Sequence, residues 1–430
     1  MIELLESRIA PANLIATVVG QTLLVTGSAD ADSLIIDAVA GDATKFLLTA
    51  GGVGGTVNGG ANFTTSTGVT DIVIKLLEGD DSLTFNNAVG GISVKGSVFV
   101  DGGNGANALD ARDLTVGKNF TIKNGKNPVG TDATNLVNTS VLGALAIANG
   151  DGDTQTMLSR ASAGSSTIRG NVSIVNGTGA DETVLRDMNV GGNVTVANGH
   201  GGGSTNFFNT FNTATRSLIL GNVVVSYADG TVNSDGLWDV EVFGSVALKH
   251  GTGAATTHFD SRGTSLPPLI HGNLTITGTG TATIDVGAVG TGGGLIVEHN
   301  LTITSGGGND VFTFRKLHMV GATKLAQGGG NDTVNIDDST FTGAFALATG
   351  KGNDGLNLET LTGTAAPTIF AAPVSVNLGT GADNFSRTGL ADANLLLIVY
   401  STFVVKYSGG YSSVFHPARD VFPFGGHLIG

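Results

Sequence analysis

Three Gly-rich turns end on Asp at a fixed interval, and that interval limits what the chain can fold into. Gly306-Gly307-Gly308-Asn309-Asp310, Gly328-Gly329-Gly330-Asn331-Asp332 and Gly350-Lys351-Gly352-Asn353-Asp354 place Asp at 310, 332 and 354, two intervals of 22 residues. Looser copies are Gly379-Thr380-Gly381-Ala382-Asp383, Gly177-Thr178-Gly179-Ala180-Asp181 and Gly102-Gly103-Asn104-Gly105-Ala106-Asn107. Glu78-Gly79-Asp80-Asp81 keeps only the end of the pattern. A second phrase, Gly-Asn followed by a short β-branched run, recurs at Gly170-Asn171-Val172-Ser173-Ile174, Gly192-Asn193-Val194-Thr195-Val196 and Gly272-Asn273-Leu274-Thr275-Ile276.

Apolar residues alternate after each turn. Val334 and Ile336 follow Asp332, and Leu356 and Leu358 follow Asp354. Period-two alternation is a strand with one buried face. No long window has the i, i+3, i+4, i+7 pattern of a helix. A short strand-rich unit repeated near 22 residues cannot bury its apolar face alone; stacked on its copies, it closes a continuous core. The expected fold is all-β: a right-handed parallel β-helix, or β-solenoid, of about 22 residues per coil, with inserted loops where the spacing lengthens. Residues 1–15 read as an N-terminal sorting or tail segment and 16–390 as the solenoid. Residues 391–430, which hold Tyr400, Tyr407, Tyr411, Phe403, Phe415, Phe422 and Phe424, read as a C-terminal cap or association segment.

Composition agrees. Gly supplies 68 of 430 residues without the every-third-residue period of collagen. Hydrophobic residues are 40% and charged residues 13%, the reverse of a disordered chain. Net charge is −14 with no basic run, so nucleic acid is not an expected partner. With no Cys there is no thiol nucleophile, disulfide or Cys-ligated zinc. The longest apolar run, Leu395 to Val405, is too short for a transmembrane segment. Met1 to Asn13 lacks the charged and apolar regions of an ordinary signal peptide.

The turns resemble the hemolysin-type calcium-binding (RTX) nonapeptide G-G-x-G-x-D-x-U-x, with U a large apolar residue. Ser305 to Thr313 reads S-G-G-G-N-D-V-F-T, Gln327 to Asn335 reads Q-G-G-G-N-D-T-V-N, Thr349 to Asn357 reads T-G-K-G-N-D-G-L-N, and Leu378 to Ser386 reads L-G-T-G-A-D-N-F-S. Each keeps the second and fourth positions of the motif, the Asp and the apolar U, and lacks the first Gly. That family runs its nonapeptides in tandem with calcium on both edges; here one nonapeptide falls in each coil, so at most one edge would carry metal. Leu5-Glu6-Ser7-Arg8-Ile9-Ala10-Pro11-Ala12 resembles a short opening of large surface or secreted proteins of planctomycetes, which implies surface sorting or export.

The RTX resemblance implies Ca2+ at Asp310, Asp332, Asp354 and Asp383, with Asn309, Asn331 and Asn353 beside them, and more weakly at Asp181. The chemistry is compatible: Ca2+ takes six to eight oxygens, and Gly-rich turns supply carbonyls beside each carboxylate. The alternative is that these Asp and Asn are ordinary turn residues bonded to backbone N–H groups. Localisation is expected to be extracellular or at the cell surface, with surface polysaccharide or other surface proteins as partners. The chain is not expected to be an enzyme. The competing readings are a carbohydrate-active β-helix enzyme of lyase or glycosidase type, and a metal-free adhesin. Asp235, Trp238, Asp239, Glu241 and His250 form the densest polar-aromatic stretch.

Overall fold

A computed structural model describes residues 13–52, 54–65, 68–86, 90–127, 129–161, 166–208, 216–230, 232–261, 266–287, 294–359, 366–386, 397–408, 412–413 and 428–429. Every regular element among them is a β-strand. The chain divides into two compact units, Met1–Gly199 and His200–Gly430.

In the first unit each coil supplies one strand to each of three parallel sheets. Val98–Asp101, Ala108–Arg112 and Leu114–Val116 make one coil. Phe120–Lys123, Thr131–Val137 and Ser140–Val141 make the next. Pairing is parallel and in register in all three sheets, Val98 on Phe120, Ala108 on Ala133, and Thr115 on Ser140. The alternation seen in the sequence becomes burial: Val98, Val100, Phe120 and Ile122 face inward, with none more than 2% exposed. The second unit repeats the plan. Leu301–Thr304, Val311–Arg315 and Leu317–Met319 stack on Thr323–Ala326, Thr333–Asp337 and Thr340–Phe341.

The stacking interval is 22 residues only in the shortest coils. Asn171 and the backbone N–H of Asn193 are 22 residues apart, whereas the corresponding partners Asp354 and Asp383 are 29 apart. The longer coils carry extra residues mainly between their second and third strands, as between Gly355–Leu358 and Thr368–Phe370. In shorter coils that corner is one or two residues opening at positive φ, Asp113, Asn138, Asp187, Asp239, Lys316 or Asp338, and Glu359 opens the longer one. Asn and Asp tolerate this conformation better than other non-Gly residues.

The expected solenoid segment does not begin as a parallel coil. Asn13–Val19 pairs antiparallel with Thr22–Thr26, and Ser33–Val39 pairs antiparallel with Asp42–Ala50, which pairs antiparallel with Asn62–Thr64. Tight turns with Gly20 and Gly41 at positive φ allow these hairpins. Thr22–Thr26 and Ser33–Val39 then pair in parallel with Asp71–Lys75 and Ser82–Phe85, so hairpins lie over the first parallel coil and shield its edge. At the other end, Leu397–Val399 and Phe403–Ser408 continue the parallel ladders below Thr368–Phe370 and Val374–Thr380. Residues 1–12 lie outside the described residues, as do Tyr411, Phe415, Phe422 and Phe424 of the proposed cap.

In-register stacking also stacks aromatic rings. In the second unit Phe341 and Phe370 are parallel at 5.0 Å between centroids, and Phe345 and Phe403 meet Phe370 edge-on at 5.3 Å and 5.8 Å. Phe370 is therefore enclosed by rings from three coils. Phe370→Ala is expected to cost about 3–5 kcal/mol, read as a lower urea midpoint; a loss of under about 1 kcal/mol would show that the rings do not set the packing there.

Candidate functional site

The Gly-rich turns join the first and second strands of each coil. Their fourth-position Gly is sterically required: Gly330 and Gly352 have φ of +141°, and a Cβ on them would fall on the carbonyl oxygens of Gly308 and Gly330. After the turn the pleat alternates, with Asn331 outside and Asp332 inside. Asp310, Asp332, Asp354 and Asp383 are 0%, 1%, 1% and 3% exposed.

Each carboxylate is tied to the coil before it. Asp310 Oδ1 accepts the Ala282 N–H at 2.7 Å, Asp332 Oδ1 the Asp310 N–H at 2.9 Å, Asp354 Oδ1 the Asp332 N–H at 2.9 Å, and Asp383 Oδ1 the Asp354 N–H at 3.1 Å. The Asn residues one position earlier stand outside and bond in the opposite sense: Asn309 Oδ1 accepts the Asn331 N–H, Asn331 Oδ1 the Asn353 N–H, and Asn353 Oδ1 the Ala382 N–H, at 2.7, 2.8 and 2.9 Å. The Asp and Asn residues that the sequence grouped as one ligand set therefore form two separate ladders. The Asn side chains are exposed and spent on backbone; the Asp carboxylates are the ones with capacity left.

That capacity is the second oxygen. Asp310 Oδ2 is bonded by the Ser305 hydroxyl. Oδ2 of Asp332, Asp354 and Asp383 is buried and accepts no hydrogen bond from any described residue, and the same holds for both side-chain amide atoms of Gln327, at the start of the Asp332 turn. Burial pushes the Asp332 carboxyl up to about 6, with Asp310 and Asp354 adding repulsion against the backbone bond that lowers it.

The first unit has an equivalent ladder with sequence cues too weak to find in full. Asp81 Oδ1 accepts the Asp32 N–H, Asn107 Oδ1 the Asp81 N–H, and Asp132 Oδ1 the Asn107 N–H, at 2.7, 3.2 and 2.8 Å. Asp181 Oδ1 accepts the Thr154 hydroxyl at 2.7 Å. Asp81, Asp132 and Asp181 each bury an unbonded Oδ2, and burial raises them to about 7, 6 and 6. Asp132 keeps only the Gly two residues before it, Gly130 at positive φ; its other cue is its register with Thr154 in the neighbouring coil. Asn107 shows what the slot accepts. Its Nδ2 donates to the carbonyl oxygens of Gly103 and Gly105, at 3.1 and 3.2 Å. The position of a second carboxylate oxygen thus faces turn carbonyls, and oxygen against oxygen requires a proton or a cation between them.

The polar-aromatic stretch does not converge on one surface. Asp235 accepts the Tyr227 hydroxyl at 2.7 Å and lies 3.3 Å from His250, and both are buried, which favours the neutral form of each. Trp238 lies over Gly236, where its ring would meet any Cβ. Glu241 faces outward: His271 bridges it to Glu298 at 2.9 and 2.8 Å, and the exposed Phe243 ring stacks on His271 at 4.7 Å.

One further acidic group joins Asp337 and Asp338 to Glu359, with carboxylate oxygens all within 4.8 Å of one another. Glu359 is 0% exposed, and burial, reinforced by Asp337, raises its carboxyl. Its signal in the sequence was the coil interval, since Glu359 follows Asp337 by 22 residues.

No family model matches the chain, and neither a curated protein nor a solved structure matches it.

The ladder carboxyls shifted upward fix the sign of a pH effect. A folded pKa above the ordinary 3.8 means that the folded chain holds protons the unfolded chain has released. That stabilisation is complete below the ordinary value and is lost as pH rises through about 6 to 7. In EDTA the melting temperature is expected to fall from about pH 5 to about pH 8, and to fall less in Asp332→Asn. A rise over this range would refute the assignment of buried, unpaired carboxyls.

Proposed function

We infer that the chain is a secreted or cell-surface structural solenoid, RTX-like in its turns, that binds Ca2+ along the buried Asp ladder. The observation that carries this reading is the set of buried, unbonded second oxygens of Asp332, Asp354 and Asp383, each beneath a turn rich in backbone carbonyls. A hard cation with oxygen ligands suits this donor set, and Gln327 offers an amide oxygen in the same turn. Asp332 and Asp354 would be central ligands. Asp310, already held by Ser305, would contribute least. Asp81, Asp132 and Asp181 extend the reading to the first unit.

Calcium then couples to folding. The metal-free ladder loses stability as its carboxyls ionise, and bound Ca2+ replaces the repulsion with attraction. A chain of this kind is loose where free calcium is low and firm outside the cell, where it serves as scaffold or adhesive surface rather than as an enzyme.

A second reading, carbohydrate engagement, draws on the exposed Phe243 ring beside Glu241, His271 and Glu298. Its test is retention on polysaccharide resin, which Phe243→Ala should abolish.

The main test is a thermal melt in EDTA and in millimolar Ca2+ with three proteins. Wild type should melt higher with Ca2+. Asp332→Asn should lose part of that gain yet melt in EDTA at or above wild type, because an amide fits the slot as Asn107 does. Asp332→Ala should lose about 1–3 kcal/mol in both conditions, since it also strands the Asp310 N–H. A wild-type melt indifferent to Ca2+ would reduce the ladder to turn formation.

A further inference from the structure

We propose that Asp337, Asp338 and Glu359 form a second divalent-cation site, distinct from the turn ladder and at another corner of the coil. The ladder stands where the first strand passes into the second. This group stands where the second passes into the third: Asp337 ends the strand Thr333–Asp337, and Glu359 follows Gly355–Leu358 directly below it. Neither residue belongs to a Gly-rich turn.

The three carboxylates offer oxygen atoms within 4.8 Å of one another, a spacing a single hard cation can span. A cluster of this kind alone would be an ordinary acidic surface, but this one is not at the surface. Asp337 and Glu359 are 2% and 0% exposed. Glu359 Oε1 accepts the Thr368 N–H at 2.6 Å, and its side chain also interacts with the Asp337 carboxyl. Its Oε2 is fully buried and accepts no hydrogen bond from any described residue. Asp338, half-buried, is oriented by the Ala366 N–H at 3.2 Å on Oδ1. The Ser339 hydroxyl, which donates to the Asp337 carbonyl at 2.7 Å, fixes the chain between them.

Charge balance points the same way. The basic residues one coil above are Arg315, in register with Asp337, and Lys316, whose charge acts on Asp338. Neither makes an ion pair with Glu359, which therefore keeps a buried oxygen facing two other carboxylates. A divalent cation supplies the missing charge from within the cluster. Asp338, the least buried of the three, gives the ion its access. The donor set is all carboxylate oxygen, with no nitrogen or sulfur, which selects Ca2+, Mg2+ or Mn2+ over zinc or copper.

The test counts cations. Equilibrium dialysis of the full chain against Ca2+, and against Mn2+ followed by its electron-spin resonance, gives the number bound per chain. Glu359→Gln keeps the shape and the Thr368 bond but removes the charge, and it should abolish a single bound cation. The same loss should appear in the Asp332→Asn background. The two sites are thereby separated: if the ladder binds nothing, wild type still binds one cation and Glu359→Gln none. Should Glu359→Gln fail to fold by circular dichroism, Asp338→Asn, on the accessible side, must show the loss. An unchanged count in Glu359→Gln, or in Asp338→Asn where that variant stands in, overturns the site and leaves Asp337 and Glu359 sharing a proton.

Discussion

Parallel, in-register stacking is the constraint on which everything else in this protein depends. It brings each residue to within about 4.8 Å of its equivalent in the next coil, for every position around the coil. Apolar positions gain from this directly, as the overlaid rings of Phe341 and Phe370 do. Asn gains as well. In the first unit Asn124 donates to Asn149, Asn149 to Asn176 and Asn176 to Asn198, at 2.9, 2.8 and 2.7 Å, an amide ladder in which Asn149 and Asn176 are each both donor and acceptor. Asp has no donor when ionised. A column of Asp is penalised at every rung; the second unit buries one, Asp310 to Asp383, and the first unit buries Asp81, Asp132 and Asp181 with Asn107 and Thr154 between them.

How the chain lives with that penalty differs from rung to rung. Asp310 is relieved by a hydroxyl, Ser305. Position 107 avoids the charge altogether, with an amide that satisfies two carbonyls. Asp332, Asp354 and Asp383 have neither relief. If the Asp served only to close the turn, Asn would serve better, since it supplies the same Oδ1 acceptor and a donor besides. Under the proposed function, the charge kept at these positions is what Ca2+ would use. That is the physical content of the calcium reading, and it rests on the contrast within one molecule between Asn107 and Asp332.

The all-β solenoid was legible because a period of 22 residues leaves little choice, and the three turns that carry it are stacked as their spacing implied. The residues of the second-unit ladder were legible for the same reason. The direction of their side chains was not. Asn331 and Asp332 are adjacent, polar and equally typical of turns, yet one faces solvent and the other the interior, and only the pleat decides which. Residues 16–64, which form hairpins, were read as part of the solenoid because Thr22–Thr26 has the same alternation in an antiparallel pair as in a parallel one. In the first unit the turns ending at Asp81, Asn107 and Asp181 were legible as looser copies, whereas Asp132 was not, because the turn before it keeps Gly130 but not the other Gly positions.

Register also explains why Glu359 carries no cue within its own coil. A doublet of Asp stands out in a sequence; a single Glu before a Thr does not. In a solenoid, however, the informative neighbour is one coil away. Leu358 pairs with Ile336, so the next residue, Glu359, must come to the side of Asp337. Positive φ at Glu359 turns the chain there, at 54°, one register step before Asp338 turns it at 49° in the coil above. The corner is thus shifted by a residue between the two coils, and the shift draws Glu359 toward both Asp337 and Asp338. A local slip in an otherwise regular stack is where this fold departs from repetition, and it is where a site outside the repeat can arise.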